Sequence, residues 1–487
     1  MKIKLTILFI LLICFSKAQN VIIQEPCLDH KKGNPNREAA HAYHDIESNK
    51  LYITYMGKTK LNINTYVNMN KVDQYEFTRT EDAGLFNQVS DAILKDQTAY
   101  YLFFTNPTCA YFSVQVINLK DRSINRYPDV LKLSEDEFYL YSFSENGQFY
   151  ILTSIRKTSK ARLYCYDFSI GKFETNVLNF ENISIDKSKK TIELWTIISN
   201  QNTISYLNPD ILKYAKNASP KSEIDPKVIA KPLKFYQRNG NLVITIDGYN
   251  NTTYIMSIDL TTKKVSYDKV LFQMTDNDPV KIKTNSYLFE RYILQVKVSD
   301  AALTAYVIDL ENKKIIQDFS STATDSIISF SNTLVIKNSK YKGITHSETE
   351  REIKKTKKVL RIFSEKNVFI GAIRNQDSDI EMIVGSWFID IQGGGSMPSM
   401  GPTNMASATE HLYYFKSLIN SDFKHQPNGN ILESSYNQLL VRQKEIKCQS
   451  KAQTIFSLDD KYYLGYFFTD VKKNPIDYYY IEEFGSK

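Results

Sequence analysis

The sequence predicts an all-β chain arranged as a β-propeller of about 7–8 four-stranded blades. Three observations carry that reading. A strand–turn–strand unit recurs about every 45–50 residues, a period that belongs to radial or stacked repeats. A second turn, opened by an Asp or Asn at the end of an apolar strand, recurs on the same spacing. Helical periodicity is almost absent: only 208–218 and Thr409–Ile419 carry it.

The first unit is a polar turn before an aromatic or β-branched run. Asn49-Lys50 precedes Leu51-Tyr52-Ile53, Asp96-Gln97 precedes Tyr100-Tyr101-Leu102-Phe103, and Asn146-Gly147 precedes Phe149-Tyr150-Ile151-Leu152. Asn239-Gly240 and Asp459-Asp460 open two later copies. Such turns need positive φ, which Asn, Asp and Gly tolerate, so they mark tight hairpins. In the second unit Asn118, Asp167, Asp259 and Asp309 end strands at spacings of 49, 92 and 50 residues. Their short side chains are expected to accept hydrogen bonds from the following turn backbone. The 92-residue gap implies a degenerate copy near Tyr206-Leu207-Asn208. Each repeat then reads as a four-stranded antiparallel meander, which cannot bury both faces alone and must pack on its neighbours.

The ends complete the plan. Residues 1–18 read as a secretory signal, with Lys2 and Lys4, an apolar run from Leu5 to Phe15, and a Ser16-x-Ala18 cleavage site. Residues 19–487 are expected to form one propeller domain. The last unit runs out of strands after Ile481, while Asn20-Val21-Ile22-Ile23-Gln24 is an apolar strand without a local partner. Pairing the two ends would cover an open ladder edge.

The turn Ser144-Glu145-Asn146-Gly147-Gln148 resembles the Ser-x-Asp-Gly-Lys turn of bacterial TolB-like propeller repeats, and the likeness extends over about residues 40–340. The resemblance implies an exported bacterial propeller. The Asp-box of sialidases, the Trp-Asp pair of WD repeats and the glycine pair of kelch repeats are missing.

Composition narrows the partners. Without Lys2, Lys4 and Lys17 the formal charge falls from +7 to +4, 58 basic residues against 54 acidic. So small a balance, with export, argues against nucleic acid. The basic run Lys354–Lys358 reads as a solvated hairpin face beside Glu348, Glu350 and Glu352. No other stretch is long and apolar enough to form a transmembrane helix. The expected location is the periplasm or outer cell surface, and the expected partner an envelope protein or glycan.

Four cysteines follow the signal: Cys27, Cys109, Cys165 and Cys448. They are compatible with two disulfides, and buried thiols are the alternative. Cys109 and Cys165 lie in consecutive units, and Cys27 with Cys448 would lock the two ends. No two are spaced as zinc ligands, and no metal or other cofactor is expected. Glu38, His41, His44 and Asp45 are the densest ligand cluster, but a strand there would put the two histidines on opposite faces.

The repeat fails between Gly371 and Cys448, where a Gly- and Met-rich insertion runs over about 392–408. Met397, Met400 and Met405 are soft enough for Cu(I), yet their setting suits an adaptable contact loop better. With Trp387 they form the expected contact residues. No Gly-x-Ser-x-Gly elbow, phosphate loop or His-Glu-x-x-His motif is present. The function expected is therefore a binding or scaffold module. The alternative is a hydrolase of glycans or peptides using a carboxylate pair in a central pocket, which would stand about 5–10 Å apart.

Overall fold

The structure is a computed structural model. It describes residues 20–27, 39–45, 47–56, 60–78, 86, 88–126, 131–180, 195, 226–238, 240–249, 251–274, 282–342, 347–374, 379–392, 407–431, 435–446, 450–458, 461–469 and 477–484. The fold is all-β and of the β-propeller class, with seven antiparallel sheets among the described residues. The signal segment, the 208–218 helix expectation and the degenerate repeat near Asn208 lie outside them.

The N-terminal strand β1 is Asn20–Cys27. The first sheet is the meander β2 (Ala39–Asp45), β3 (Lys50–Met56), β4 (Lys60–Val67) and β5 (Asn70–Thr78). The second has β6 (Gln88–Lys95), β7 (Ala99–Thr105) and β8 (Tyr111–Asn118), with β9 (Ser123–Arg126) and β10 (Leu131–Lys132) both on β8. The third is β11 (Glu137–Glu145), β12 (Gln148–Ile155), β13 (Lys160–Asp167) and β14 (Lys172–Asn179). After the short helix α1 (Pro226–Ile229) come β15 (Leu233–Arg238), β16 (Asn241–Tyr249), β17 (Thr252–Asp259) and β18 (Val265–Leu271). The fifth sheet is β19 (Lys283–Phe289), β20 (Tyr292–Val298), β21 (Ala302–Asp309) and β22 (Ile315–Thr322).

The sixth sheet departs from the meander. Its outer hairpin, β23 (Val335–Lys342) and β24 (Ser347–Ile353), comes first in the chain. Helix α2 (Thr356–Glu365) then leads back to β25 (Asn367–Arg374), β26 (Ile380–Gln392) and β27 (Ser407–Ile419), in the order β24-β23-β27-β26-β25. Helix α3 (Ser435–Ile446) precedes the last three strands, β28 (Ser450–Leu458), β29 (Lys461–Thr469) and β30 (Asp477–Phe484). The fourth strand of that sheet is β1, antiparallel to β30 from Asn20↔Glu483 to Cys27↔Asp477. The two ends therefore pair as their sequences require.

The turns obey the chemistry that marked them. Asn49, Asp96, Gln97, Asn146, Gly147 and Gly240 all sit at positive φ. In the second set, Asn118 accepts from the N–H groups of Lys120 and Asp121, and Asp259 from Thr261 and Thr262. Asp167 and Asp309 do the same for Ser169 and Glu311. The Ser169 hydroxyl and then its N–H favour the ionised Asp167 and lower its pKa, and the Thr262 N–H does the same for Asp259.

Two compact units divide the chain: Met1–Leu152, Tyr164–Thr175 and Glu433–Lys487 form one, and Thr153–Leu163 with Asn176–Leu432 the other. In the first, β28, β2, β6 and β11 are successive neighbours. Strand alternation splits each buried strand between two cores: Tyr100, Leu102 and Phe104 of β7 pack on the first sheet, while Tyr101 and Phe103 pack on the third. Aromatic pairs fill every such joint. Tyr55 meets Tyr479 at 4.5 Å between ring centroids, Tyr52 stacks on Tyr100 at 5.4 Å, and Phe103 stacks on Phe149 at 4.0 Å. Full burial of one such ring is worth ~1.5–3 kcal/mol. Tyrosines are thus prominent among the side chains that fill these joints.

The N-terminal strand is also held by side chains. Glu25 of β1 accepts hydrogen bonds from Asn64 and, at 2.7 Å, from Lys71 Nζ of the first sheet. Asn64 also donates to Tyr55 Oη, which lies 3.0 Å from Tyr66 Oη. On β30, the buried Glu482 carboxylate receives Tyr466 Oη at 2.6 Å and two nitrogens of Arg442 from α3.

In the second unit a polar seam joins the fourth and fifth sheets. The Asp247 carboxylate of β16, fully buried, pairs with Lys234 Nζ at 2.8 Å. It also accepts from Thr253 Oγ1 and from the N–H and Oγ of Ser286 on β19. Burial pulls the Lys234 pKa down and Asp247 pulls against it. A charge this deep survives only where such partners satisfy it.

Three expectations are corrected. Thr409–Ile419 is strand β27, because its β-branched and aromatic residues find a ladder on both sides. The lysines of the basic run are exposed, as expected, but the run leads into helix α2 instead of forming a hairpin; the buried Thr356, Val359, Leu360 and Phe363 of α2 form an i, i+3, i+4, i+7 stripe. No bridge joins Cys109 and Cys165; both are thiols. Cys109 lies in the core with Tyr164 and Tyr166 of β13, so Cys165 between those tyrosines points to the other face. The Cys27–Cys448 pairing lies outside the described residues, Cys448 being among those not described.

Two outcomes follow from these contacts. Deleting residues 20–27 opens the β30 edge and strips Asn64 and Lys71 of Glu25. The truncated protein should aggregate or melt without cooperativity by calorimetry; a sharp, monomeric melt like the parent's would contradict the role given to β1. Separately, a Cβ at Gly385 would collide with the Tyr413 carbonyl and the Phe369 ring. Gly385→Ala should therefore cost ~1–3 kcal/mol in urea unfolding, the range for overpacking.

Candidate functional site

The sixth sheet is where the repeat is broken, and its strands β26 and β27, at 13 residues each, are the longest among the described residues. They stay paired from Ile380↔Ile419 out to Gln392↔Ser407. Their inner halves carry Met382, Val384 and Phe415 into the apolar core. Their outer halves keep Trp387, Phe388, Leu412 and Tyr413 in or against that core and add Asp390, Thr409 and His411 beside them.

Register places those residues on two faces. On one, Phe388 lies opposite His411, Asp390 opposite Thr409, His411 opposite Ser339, and Tyr413 opposite Lys337. Lys337 in turn faces Arg351 on β24. The His411 ring sits between Ser339 Oγ, 2.8 Å from Nδ1, and Asp390 Oδ2, 3.3 Å from Nε2. Phe388 lies 5.0 Å from His411 and stacks with Tyr413 at 5.9 Å. Lys366, at the end of α2, holds its ammonium 4.3 Å above the Phe388 ring and 4.0 Å from Asp390. Lys337 lies 5.4 Å from the Tyr413 ring. On the opposite face, Trp387 Nε1 donates to Glu410 at 2.9 Å, and Lys416 pairs with Glu381.

The electrostatics follow from burial and crowding. Burial lowers the His411 pKa first, with Lys337 and Lys366 adding to it and Asp390 opposing. A neutral ring protonated at Nε2 satisfies both neighbours, donating to Asp390 and accepting from Ser339. Burial and then Arg351 lower the Lys337 pKa, again against Asp390. The Ser339–His411–Asp390 chain can move a proton. Ser339, however, is mid-strand between β24 and β27, so the backbone N–H groups around it are committed to the ladders. An acyl-transfer site needs such donors aimed at a developing oxyanion.

Of the sequence-predicted contact residues, Trp387 is close in sequence to this cluster but on the opposite face of β26. Met397, Met400 and Met405 lie outside the described residues, in the connection from Gln392 to Ser407. Sequence reasoning missed Lys337, Ser339, Arg351, Lys366, Phe388, Asp390 and His411. The signal was the period-two alternation of Ser386, Phe388 and Asp390 against Thr409, His411 and Tyr413, hidden once 409–419 was read as helix.

The other candidate cluster does not assemble. His41 and His44 are on strand β2; His41 lies 3.5 Å from Asp91, and His44 bonds Asn49. Glu38 is outside the described residues. Among the described residues, no group of three or more His, Cys, Asp or Glu side chains is arranged to hold a metal.

No family model matches the chain, and no curated protein does. Solved structures do. One is the Dos1 propeller, 13% identical, covering 96% of this chain and 98% of its own, with a TM-score of 0.30. Another is the WD40 domain of SCAP from fission yeast, 9% identical, covering 92% and 82%, TM-score 0.29. A third is the polysaccharide lyase Uly1, 10% identical, covering 94% and 92%, TM-score 0.30. Neither a ligand nor a reaction follows from these likenesses.

The charge arrangement is testable by titration. His411 should titrate below its ordinary 6.5. Lys337→Ala should raise its pKa and Asp390→Asn should lower it further, read from the imidazole Cε1–H resonance. Since the folded pKa lies below the unfolded one, the native state resists protonation, and stability should fall as pH drops through about 6.5. A His411→Gln variant should lose that part of the decline.

Proposed function

We propose that the protein is a binding or scaffold module, exported to the periplasm or outer surface, whose contact surface is the polar face of the sixth sheet. One observation carries this reading: the two longest strands carry an imidazole, two aromatic rings and a single carboxylate on one face, and three cations from β23, β24 and the end of α2 surround them. Function in repeat folds resides in such additions rather than in the scaffold. The Met397, Met400 and Met405 segment, which joins the same two strands, belongs to the proposal as a neighbouring contact.

The hydrolase alternative draws on the Ser339–His411–Asp390 chain, and the committed ladder around Ser339 weighs against it. A photo-cross-linking residue at Thr349 or Asp390 should capture a partner from envelope fractions, while one at Lys269, exposed on β18, should not. Equal labelling at all three positions would remove the surface from consideration. Turnover of a chromogenic ester that Ser339→Ala abolishes would favour the enzyme instead.

A further inference from the structure

We infer that the polar face of the sixth sheet binds an acidic glycan, a chain of sugars bearing carboxylates. This rests on the contact surface proposed above and adds the chemistry of its ligand. The face holds Lys337, Arg351 and Lys366 against one carboxylate, Asp390, so two positive charges are left over while His411 is neutral. Lys337 and Arg351 are directly opposite in an antiparallel pair, a placement that destabilises a sheet when both residues are charged alike. Asp390 relieves it only in part, being shared as well by His411 at 3.3 Å and Lys366 at 4.0 Å. An anion lying between Lys337 and Arg351 would remove the repulsion. Burial lowers the Lys337 pKa first, and Arg351 adds to it.

The extent of the cations points to an extended polyanion. From Arg351 on β24 to the Lys366 head group over β26 is three strand spacings, roughly 14 Å. That span runs across the strands rather than along them. Strands β23, β27 and β26 are each paired on both sides, so the backbone beneath offers a ligand no hydrogen bonds. A peptide laid across them would leave its own N–H and C=O groups unmet, and one added at the β24 edge would lie far from Lys366. A glycan presents only carboxylates and hydroxyls, and these match the lysine and arginine head groups and the hydroxyls of Thr349 and Thr409.

The test is calorimetric titration of the full chain with oligogalacturonate, a neutral β-glucan oligomer and poly-L-glutamate. Binding should be confined to oligogalacturonate and should weaken as salt screens the charges. Arg351→Gln with Lys366→Gln should weaken it at least tenfold without changing the melting temperature, since both side chains are substantially exposed. Lys337→Gln gives an independent check should the double variant fold poorly. Absence of oligogalacturonate binding by the parent chain would overturn the inference. Poly-L-glutamate bound as tightly, and lost in the double variant, would overturn the glycan while leaving the surface standing. Oligogalacturonate binding unaffected by these variants would overturn both.

Discussion

The structure depends on the aromatic joint between neighbouring sheets. A four-stranded meander of this sequence has two apolar faces and no means of burying either. Rings such as Tyr52 on Tyr100 and Phe103 on Phe149 supply the missing surface, at distances where stacking adds to burial. The middle strands consequently read as near-continuous apolar runs, while outer strands such as β5 and β22 alternate between exposed and buried. Ion pairs repeat the logic on the outside. Arg122 reaches Asp73 of the preceding sheet, and Lys313 reaches Asp268, from turn positions that correspond in the two repeats. Being exposed, they contribute far less than the rings.

Much of this was legible because the scaffold is governed by local rules. Turn residues at positive φ, strand-ending aspartates and period-two alternation each report one physical requirement, and each recurs. The terminal pairing was legible for a complementary reason: an apolar strand at Asn20 had no local partner, and the last unit lacked one strand. The sixth sheet was harder because its outer hairpin precedes its inner strands, which breaks the periodicity. Thr409–Ile419 carries apolar residues at spacings that suit either helix or strand, and only the ladders from β23 and β26 decide between them. The stripe of α2 was present in Val359, Leu360 and Phe363 but overshadowed by the lysines around it. The Cys109–Cys165 expectation failed on parity, since adjacent units were considered without asking which face of β13 the thiol occupied.

The polar face of the sixth sheet shows what happens where burial stops. Four charged groups and an imidazole share a surface that is neither core nor open water, where burial first and then neighbouring cations lower the pKa of His411 and of Lys337. Asp390 is the pivot: it orients His411 and attracts Lys366, and it moderates Lys337 from a distance. A surface arranged this way is sensitive to anything that supplies or removes a single negative charge, which is the property a recognition site needs and a purely structural sheet does not.

The pairing of β1 with β30 sets an order of events in the life of the molecule. Gln24 and Tyr480, joined by a hydrogen bond, are 456 residues apart. Strand β1 is made long before β30 and must wait for it, and no chain lacking β30 can complete that sheet. Until β30 is made, β1 is an apolar strand without its ladder partner. Stalling before β30, or proteolytic loss of it, leaves β1 open to pairing with another edge, so that one sheet registers whether two distant segments are both present.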